Sequence, residues 1–271
     1  PWRGISTMMR ALWSAASGMK AQQTHMDIVA HNIANVNTHG GKKVRAEFQD
    51  LVYQTLREAG AQNGADSQYP TALQIGLGTR VAATQRVFTQ GPLQTTDNPT
   101  DIGIQGEGFF RVTMPDGSTA YTRDGTWKLD SDRRMVTTDG YLLADGITIG
   151  QNAPSDSITI SGDGRVSYRE AGQTQQQEAG QITLARFVNP AGLTSIGKNL
   201  FVVSDASGEA IESNPGVDGA GTLAQGTLEM SNVQIVEEMV EMIVSQRAYE
   251  SNSKAITTSD SMLEIANSLK R

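Results

Sequence analysis

The sequence predicts an α+β protein: long N- and C-terminal helices form a coiled-coil-like stem, and an all-β domain is inserted between them. Three observations carry this expectation. Apolar residues recur in steps of three and four near the N-terminus, the same pattern returns near the C-terminus, and the middle is cut into short runs by Asp-Gly turns. Steps of three and four place side chains on one helix face, whereas Asp-Gly supplies the positive φ that tight hairpins demand.

At the N-terminus, Leu12, Ala15, Met19, Gln22, Met26, Val29, Ile33 and Val36 form an a/d seam with one polar break at Gln22. No proline interrupts it, and Asn37-Thr38-His39-Gly40-Gly41 is a stop signal. Pro1 to Thr7, ahead of the Met8-Met9 pair, reads as an upstream extension and is set aside, so this helix is expected over 8–41. The run from Met9 to Met19 is too short, and too broken by Ser14, Ser17 and Gly18, for a cleaved signal.

At the C-terminus, Leu228, Ile235, Met242, Tyr249, Ile256 and Leu263 recur every seventh residue. Val236, Met239, Val240, Ile243, Ala266 and Leu269 widen the stripe, and neither Pro nor Gly follows Gly226. A helix of some 40 residues within 226–271 would be about 60 Å long, far beyond an ordinary globular helix. It is longer than its N-terminal counterpart, so the two seams cannot fully cover each other, and the surplus is expected to pack against other copies.

The β domain is expected over 75–225, from runs such as Gly108-Phe109-Phe110-Arg111-Val112 and Leu200-Phe201-Val202-Val203 between turns at Asp116-Gly117, Asp124-Gly125 and Asp139-Gly140. Residues 42–74 link helix and β domain: Val44, Phe48, Leu51, Val52 and Leu56 fit a short helix or an extended arm, and Ala59 to Gln68 a flexible stretch.

Bulk properties narrow the function. A net charge of −7 argues against a nucleic-acid partner, and no apolar run is long enough for direct membrane insertion. Aromatic residues are only 6% of the chain, too few to build a carbohydrate platform readily. His25 and His31 lie six residues apart, about 600° around a helix, and so face different ways, which reads as two solvent-facing residues and not a metal pair. Gly76-Leu77-Gly78 lacks the last glycine and the following helix of a dinucleotide fingerprint. The aspartates at 116, 124, 139 and 163 each precede glycine and are accounted for by turns. No catalytic, cofactor-binding or metal-binding residue is predicted. The competing class, a stalked carbohydrate-binding or hydrolytic β domain, would need convergent acid/base residues or an aromatic platform.

Several runs carry a family resemblance: Ala34-Asn35-Val36-Asn37-Thr38 with Gly40 and Lys42, and Gln246-Arg247-Ala248-Tyr249-Glu250 with Asn252-Ser253-Lys254. Within the β region, Gly106-Glu107-Gly108-Phe109-Phe110, Tyr121-Thr122-Arg123-Asp124-Gly125, Asn189-Pro190-Ala191-Gly192-Leu193 and Gly197-Lys198-Asn199-Leu200 join them. Together they resemble the axial rod and hook proteins of the bacterial flagellum over nearly the whole chain after Met8. The arm Arg45-Ala46-Glu47-Phe48-Gln49-Asp50-Leu51-Val52-Tyr53-Gln54 is similar to the distal rod type, with hook and proximal rod subunits as the alternatives. The chain departs from the family at Gly41, where an aromatic is usual, at His31, where Asn is usual, and at His39.

The resemblance implies a non-enzymatic subunit without cofactor. It would be exported uncleaved through the flagellar type III export apparatus and would polymerise with itself into a helical, hollow rod crossing the periplasm. That rod would carry torque from motor to hook. Proximal rod proteins, hook proteins and the bushing rings around the rod are the implied partners. Terminal helices that lack these partners are expected to be poorly ordered in the monomer.

Overall fold

The structure, a computed structural model, describes residues 2–60, 69–172 and 175–268. Side chains before Met9, and those of Ala266 and Asn267, lie outside the description, as do most of the expected flexible stretch and Leu269 at the end of the stripe. The chain divides into two compact units. Unit 1 holds residues 1–33, 44–85 and 235–271, and unit 2 holds 34–43 and 86–234.

Unit 1 contains both long helices, α1 (Trp2–Ala34) and α2 (Ile235–Ser268). Helix α1 runs through the segment set aside in the sequence, because nothing between Trp2 and Met8 ends the backbone ladder. It stops at Ala34, short of the expected residue 41, where the Thr38 and Gly41 amides turn back onto the Asn35 and Thr38 carbonyls. The expected start of the second helix is also corrected. Residues Thr227–Glu229 are a strand and α2 begins at Ile235, so Leu228 is a buried strand residue, not part of a helical seam. The seven-residue spacing that links Leu228 to Ile235 is compatible with a helix, but the backbone groups there are already paired with a neighbouring strand.

The described linker is extended over most of its length and holds no helix. Strands β1 (Val44–Asp50) and β2 (Tyr53–Arg57) pair with β4 (Thr79–Arg86) and β3 (Leu73–Gly76), so two long segments form one two-stranded arm. Leu51 donates to the Gly78 carbonyl at the step between the pairs, 2.9 Å. The arm is tied to α1 at two points. Asn32 brackets Val44, accepting from its amide and donating to its carbonyl, both at 2.9 Å, while Ser17 Oγ accepts from the Thr79 amide at 3.3 Å. Gly78 is required at the second point: its φ is +122°, and a Cβ there would sit 2.0 Å from Ser17 Oγ.

Unit 2 is the β body, and its strand pairings among the described residues are all antiparallel. Its centre is the hairpin of β7 (Phe109–Thr113) and β8 (Thr119–Thr122), flanked by strands Leu142–Leu143, Leu184–Arg186 and Leu200–Val202. Alternate residues of this hairpin face opposite ways. Phe110, Val112 and Ala120 join Ile102, Ile104, Trp127, Met135 and Ile182 in the main core, whereas Phe109 and Tyr121 join Phe187, Leu193 and Phe201 in a second, smaller one. The thin, divided core matches the sparse aromatic content.

Candidate assembly site

Two features of the fold bear on function, one in each unit. In unit 1, α1 and α2 meet through layers that repeat every seven residues. Asn32 donates to the Glu238 carboxylate at 3.0 Å. Ser245 Oγ and His25 Nδ1 are 2.8 Å apart, with Glu241 Oε2 at 3.7 Å from His25 Nε2. Gly18 faces Asn252, whose Nδ2 would lie 2.8 Å from a Cβ placed on that glycine. Positions rise on α1 as they fall on α2, so the helices are antiparallel, with layers about 10.5 Å apart. Glu238 and Ser245 are buried almost completely. The side chains that α2 turns to α1 at these layers are therefore polar or small.

The most exposed apolar residues of α2 lie on another face, while Met242, Ile256 and Leu263 sit half-buried beside these layers. Val236, Met239, Val240, Ile243 and Val244 are between 49% and 74% exposed. Of the residues expected on the seams, Ala15 and Val29 are buried. Leu12, Met19, Met26, Ile33, Val36, Met242, Ile256 and Leu263 are half-buried, while Ile235 and Tyr249 are exposed. Trp13 on α1 is 69% exposed. The motif residues Gln246, Arg247 and Tyr249 are exposed, whereas Ala248 and Asn252 are half-buried. The expectation that His25 faces solvent is corrected, because it is half-buried against Ser245 and stacks edge-on to Phe48 at 5.7 Å. His31 is exposed as expected.

His25, Ser245 and Glu241 are the residue types of a nucleophile, a base and a carboxylate, but their setting is wrong for catalysis. Ser245 is only 1% exposed and lies inside a continuous helix, whose backbone amides are already engaged and cannot form an oxyanion hole.

In unit 2, the two ends of the β body are closed by a buried charge cluster. The Glu229 carboxylate accepts from Lys42 Nζ at 2.6 Å, Arg123 Nε at 2.5 Å and the Gly91 amide at 2.9 Å. Lys42 also donates to the Thr89 carbonyl at 2.8 Å, and Arg123 to the Gly106 and Gly108 carbonyls. Lys42 and Glu229 are essentially inaccessible, and Arg123 nearly so. Burial is the largest influence on Lys42 and holds its ammonium below the ordinary lysine range; Glu229 opposes that effect and Arg123 adds to it.

The N-terminal motif and three of the β-region motifs meet around this cluster. Gly40 donates its amide to the Glu229 carbonyl at 2.8 Å and has a φ of +66°; a Cβ there would lie 2.7 Å from the Arg123 carbonyl carbon. Asn199 donates to the His39 carbonyl at 3.3 Å, and the Asn199 carbonyl accepts from Thr122. Asn35 and Thr38 are half-buried in the turn and Asn37 is exposed. At Gly41, where the chain departs from the resembled family, a Cβ would lie 3.0 Å from the Thr38 carbonyl and 3.3 Å from Ser231 Oγ, so backbone closes the space. A cavity of about 700 Å³ opens beside the cluster, lined in part by Phe88, Phe109, Phe187 and Arg186, but Glu229 already holds its two buried cations. No group of potential metal ligands occurs among the described residues.

Two long terminal helices, an inserted β body and motifs gathered at a buried structural node are the features of a structural subunit. Comparison with known proteins gives the family. Residues 12–42 match the family model described as "Flagella basal body rod protein", residues 103–168 that of the "Flagellar hook protein FlgE/F/G D1 domain", and residues 224–269 that of the "Flagellar basal body rod FlgEFG protein C-terminal". The chain is 54% identical to the flagellar basal-body rod protein FlgG of Borreliella burgdorferi, over 97% of this chain and 100% of the relative. It is 48% identical to FlgG of Caulobacter vibrioides and 44% to FlgG of Bacillus subtilis, with the same coverage. The chain belongs to the FlgG family of flagellar basal-body rod proteins.

Proposed function

We propose that the helix pair is a coiled-coil-like stem whose outer apolar stripe packs against other copies of the chain, polymerising it into the hollow, helical drive shaft between motor and hook. The observation that carries this is the inverted character of α2. Its fully buried side chains, Glu238 and Ser245, are polar, while Val236, Met239, Val240, Ile243 and Val244 stay exposed. Burying one such side chain contributes about 1.5–3 kcal/mol, and a cluster repeated on every subunit favours association strongly. The two-stranded arm points the same way. A lone ribbon is marginal in water, and this one exposes Phe48, Val52, Tyr53, Leu56 and Leu73.

In this reading the proposed contact residues are Leu12, Met19, Met26, Ile33, Val36, Ile235, Met242, Tyr249, Ile256 and Leu263, joined by the exposed valines of α2, while Ala15 and Val29 are already buried within the subunit. Close packing makes such an interface stiff, which a torque-carrying shaft requires. Proximal rod proteins, hook proteins and bushing rings are its neighbours, and the type III export apparatus delivers it across the cytoplasmic membrane into the periplasm. None of the described helices is long and apolar enough to cross a membrane.

The test is complementation of a rod-deficient strain by the full chain and by a chain ending at Gln234, alongside electron microscopy of the concentrated protein. Motility and tubes from the full chain alone are expected. Motility restored by the shortened chain would overturn the proposal.

A further inference from the structure

The apolar stripe raises a problem of choice. In a polymer every α1 lies among several α2 helices that carry the same apolar residues, so an apolar seam cannot tell its own partner from a neighbour's. We propose that the polar layers make this choice: Asn32–Glu238, His25–Ser245 and Gly18–Asn252 select the helix of the same chain, in one register, as the cis partner of α1. This rests on the self-association reading only for the source of the competing helices.

The geometry is specific at each layer. Glu238 is fully buried and Asn32 nearly so. A buried carboxylate without a donor is heavily disfavoured, and Asn32 supplies one at 3.0 Å. Asn32 is itself held in place, because Val44 engages both ends of its amide. Gly18 is the position where Asn252 fits, since any larger residue would meet its amide nitrogen within 2.8 Å. Moving α2 by one heptad would set Asn252 opposite either His25 or Ala11 and would take Glu238 away from Asn32. A pairing that leaves buried polar groups unmatched is rejected, which is how single polar residues set partner and register in helical assemblies.

Chain connectivity alone does not reach far enough to do this. Gly40 and Glu229 are joined by a backbone hydrogen bond, and each lies six residues from its helix. Gly18 and Asn252 lie more than twenty residues further out along the chain, where exchange with a neighbour is open and only the layers discriminate.

The chain lacks cysteine, so cross-links can be placed freely. The double variant His25→Cys/Ser245→Cys, which gives up the middle layer equally in every sample and leaves the outer two to discriminate, is oxidised over a series of protein concentrations, and the ratio of interchain dimer to intrachain cross-link is read on a non-reducing gel. With Asn32 and Glu238 intact, the intrachain product is expected to dominate. Adding Glu238→Leu is expected to raise the dimer fraction roughly tenfold, the effect of losing one charge-assisted hydrogen bond. Glu238→Gln, which keeps an acceptor for Asn32, should restore the low ratio. Asn252→Leu removes a distal layer without touching a charge, and it should raise the ratio even if Glu238→Leu fails to fold. An unchanged ratio in Asn252→Leu, or in a folded Glu238→Leu protein, overturns the proposal. Because the readout is a cross-link in solution, it stands apart from whether the chain builds a rod.

Discussion

Replacing Glu229 by Gln should destabilise unit 2 and change its dependence on pH. The carboxylate holds two buried cations, Lys42 at 2.6 Å and Arg123 at 2.5 Å. Removing the charge leaves both without a counter-ion although their side chains are almost wholly buried, and breaking a buried pair in this way costs about 3–5 kcal/mol. The Gly91 amide keeps an acceptor in glutamine, so the loss is chiefly electrostatic. The direction with pH follows from Lys42, whose folded-state pKa is lowered from the ordinary 10.5 by burial. The unfolded chain therefore holds the lysine proton to higher pH than the folded one. The burdened, charged form is fully present below the folded pKa, and the burden lifts as pH climbs from there towards 10.5. Loss of Glu229 removes the attraction that had been raising this pKa, so the window widens downwards. The variant should recover stability relative to the parent as pH is raised from 7 towards 10. Urea unfolding followed by the fluorescence of Trp127, buried in the main core, reads this directly. A loss below about 1 kcal/mol at pH 7, or a gap that stays constant up to pH 10, would refute the assignment of Glu229 as the counter-ion of the site.

Other outcomes follow from the same structure. Gly40→Ala should cost more than about 2 kcal/mol in urea unfolding, because positive φ is combined with a 2.7 Å approach to the backbone of Arg123 and Asp124. Gly117→Ala, with a φ of +81° but open space around it, should cost only about 1 kcal/mol in the same assay. Phe110→Ala should lose about 3–5 kcal/mol, since its ring is wholly buried and packs edge-on against Trp127 at 5.4 Å. Val240→Asp should leave thermal unfolding unchanged within about 0.5 kcal/mol yet abolish concentration-dependent association in sedimentation velocity, as its side chain is 55% exposed. Amide exchange in the dilute monomer should be faster across residues 12–36 than in β7 and β8, and equal protection would contradict the view that the helices depend on assembly.

Much of this architecture could be read from residue patterns, and the failures have physical causes. The helical ends and the β body were visible because periods of 3.6 and 2 differ and Asp-Gly turns mark the body. The arm was ambiguous because Val44, Phe48, Leu51, Val52 and Leu56 fit a helical spacing, whereas the structure satisfies their backbone through β4 and β3. Leu228 fell in phase with the α2 heptad by coincidence of spacing, and its strand partner β5 (Leu93–Thr95) lies more than 130 residues away. Lys42 and Arg123 were noticed as parts of motifs, but their purpose depends on Glu229, which no local pattern singles out. His25 was misread because one histidine carries no sign of its partner; the signal lay in α2, where Glu238, Ser245 and Asn252 recur every seven residues.

That polar recurrence explains why the apolar stripe stays outside. A helix has one face for each partner, and a seam of seven-residue period can be apolar towards only as many neighbours as its circumference allows. If α2 turned its valines towards α1, the pair would be self-contained and would offer a polar exterior, as an ordinary two-helix hairpin does. Here Glu238 and Ser245 occupy the inner face and Val236, Val240 and Val244 the outer one, so folding of the monomer leaves these valines more than half exposed. The inner contacts are directional and give specificity, since hydrogen bonds to buried groups tolerate little displacement. The outer contacts are non-directional and give strength, since apolar burial scales with area. A subunit that must first find its own helix and then be gripped by many copies needs both, in that order.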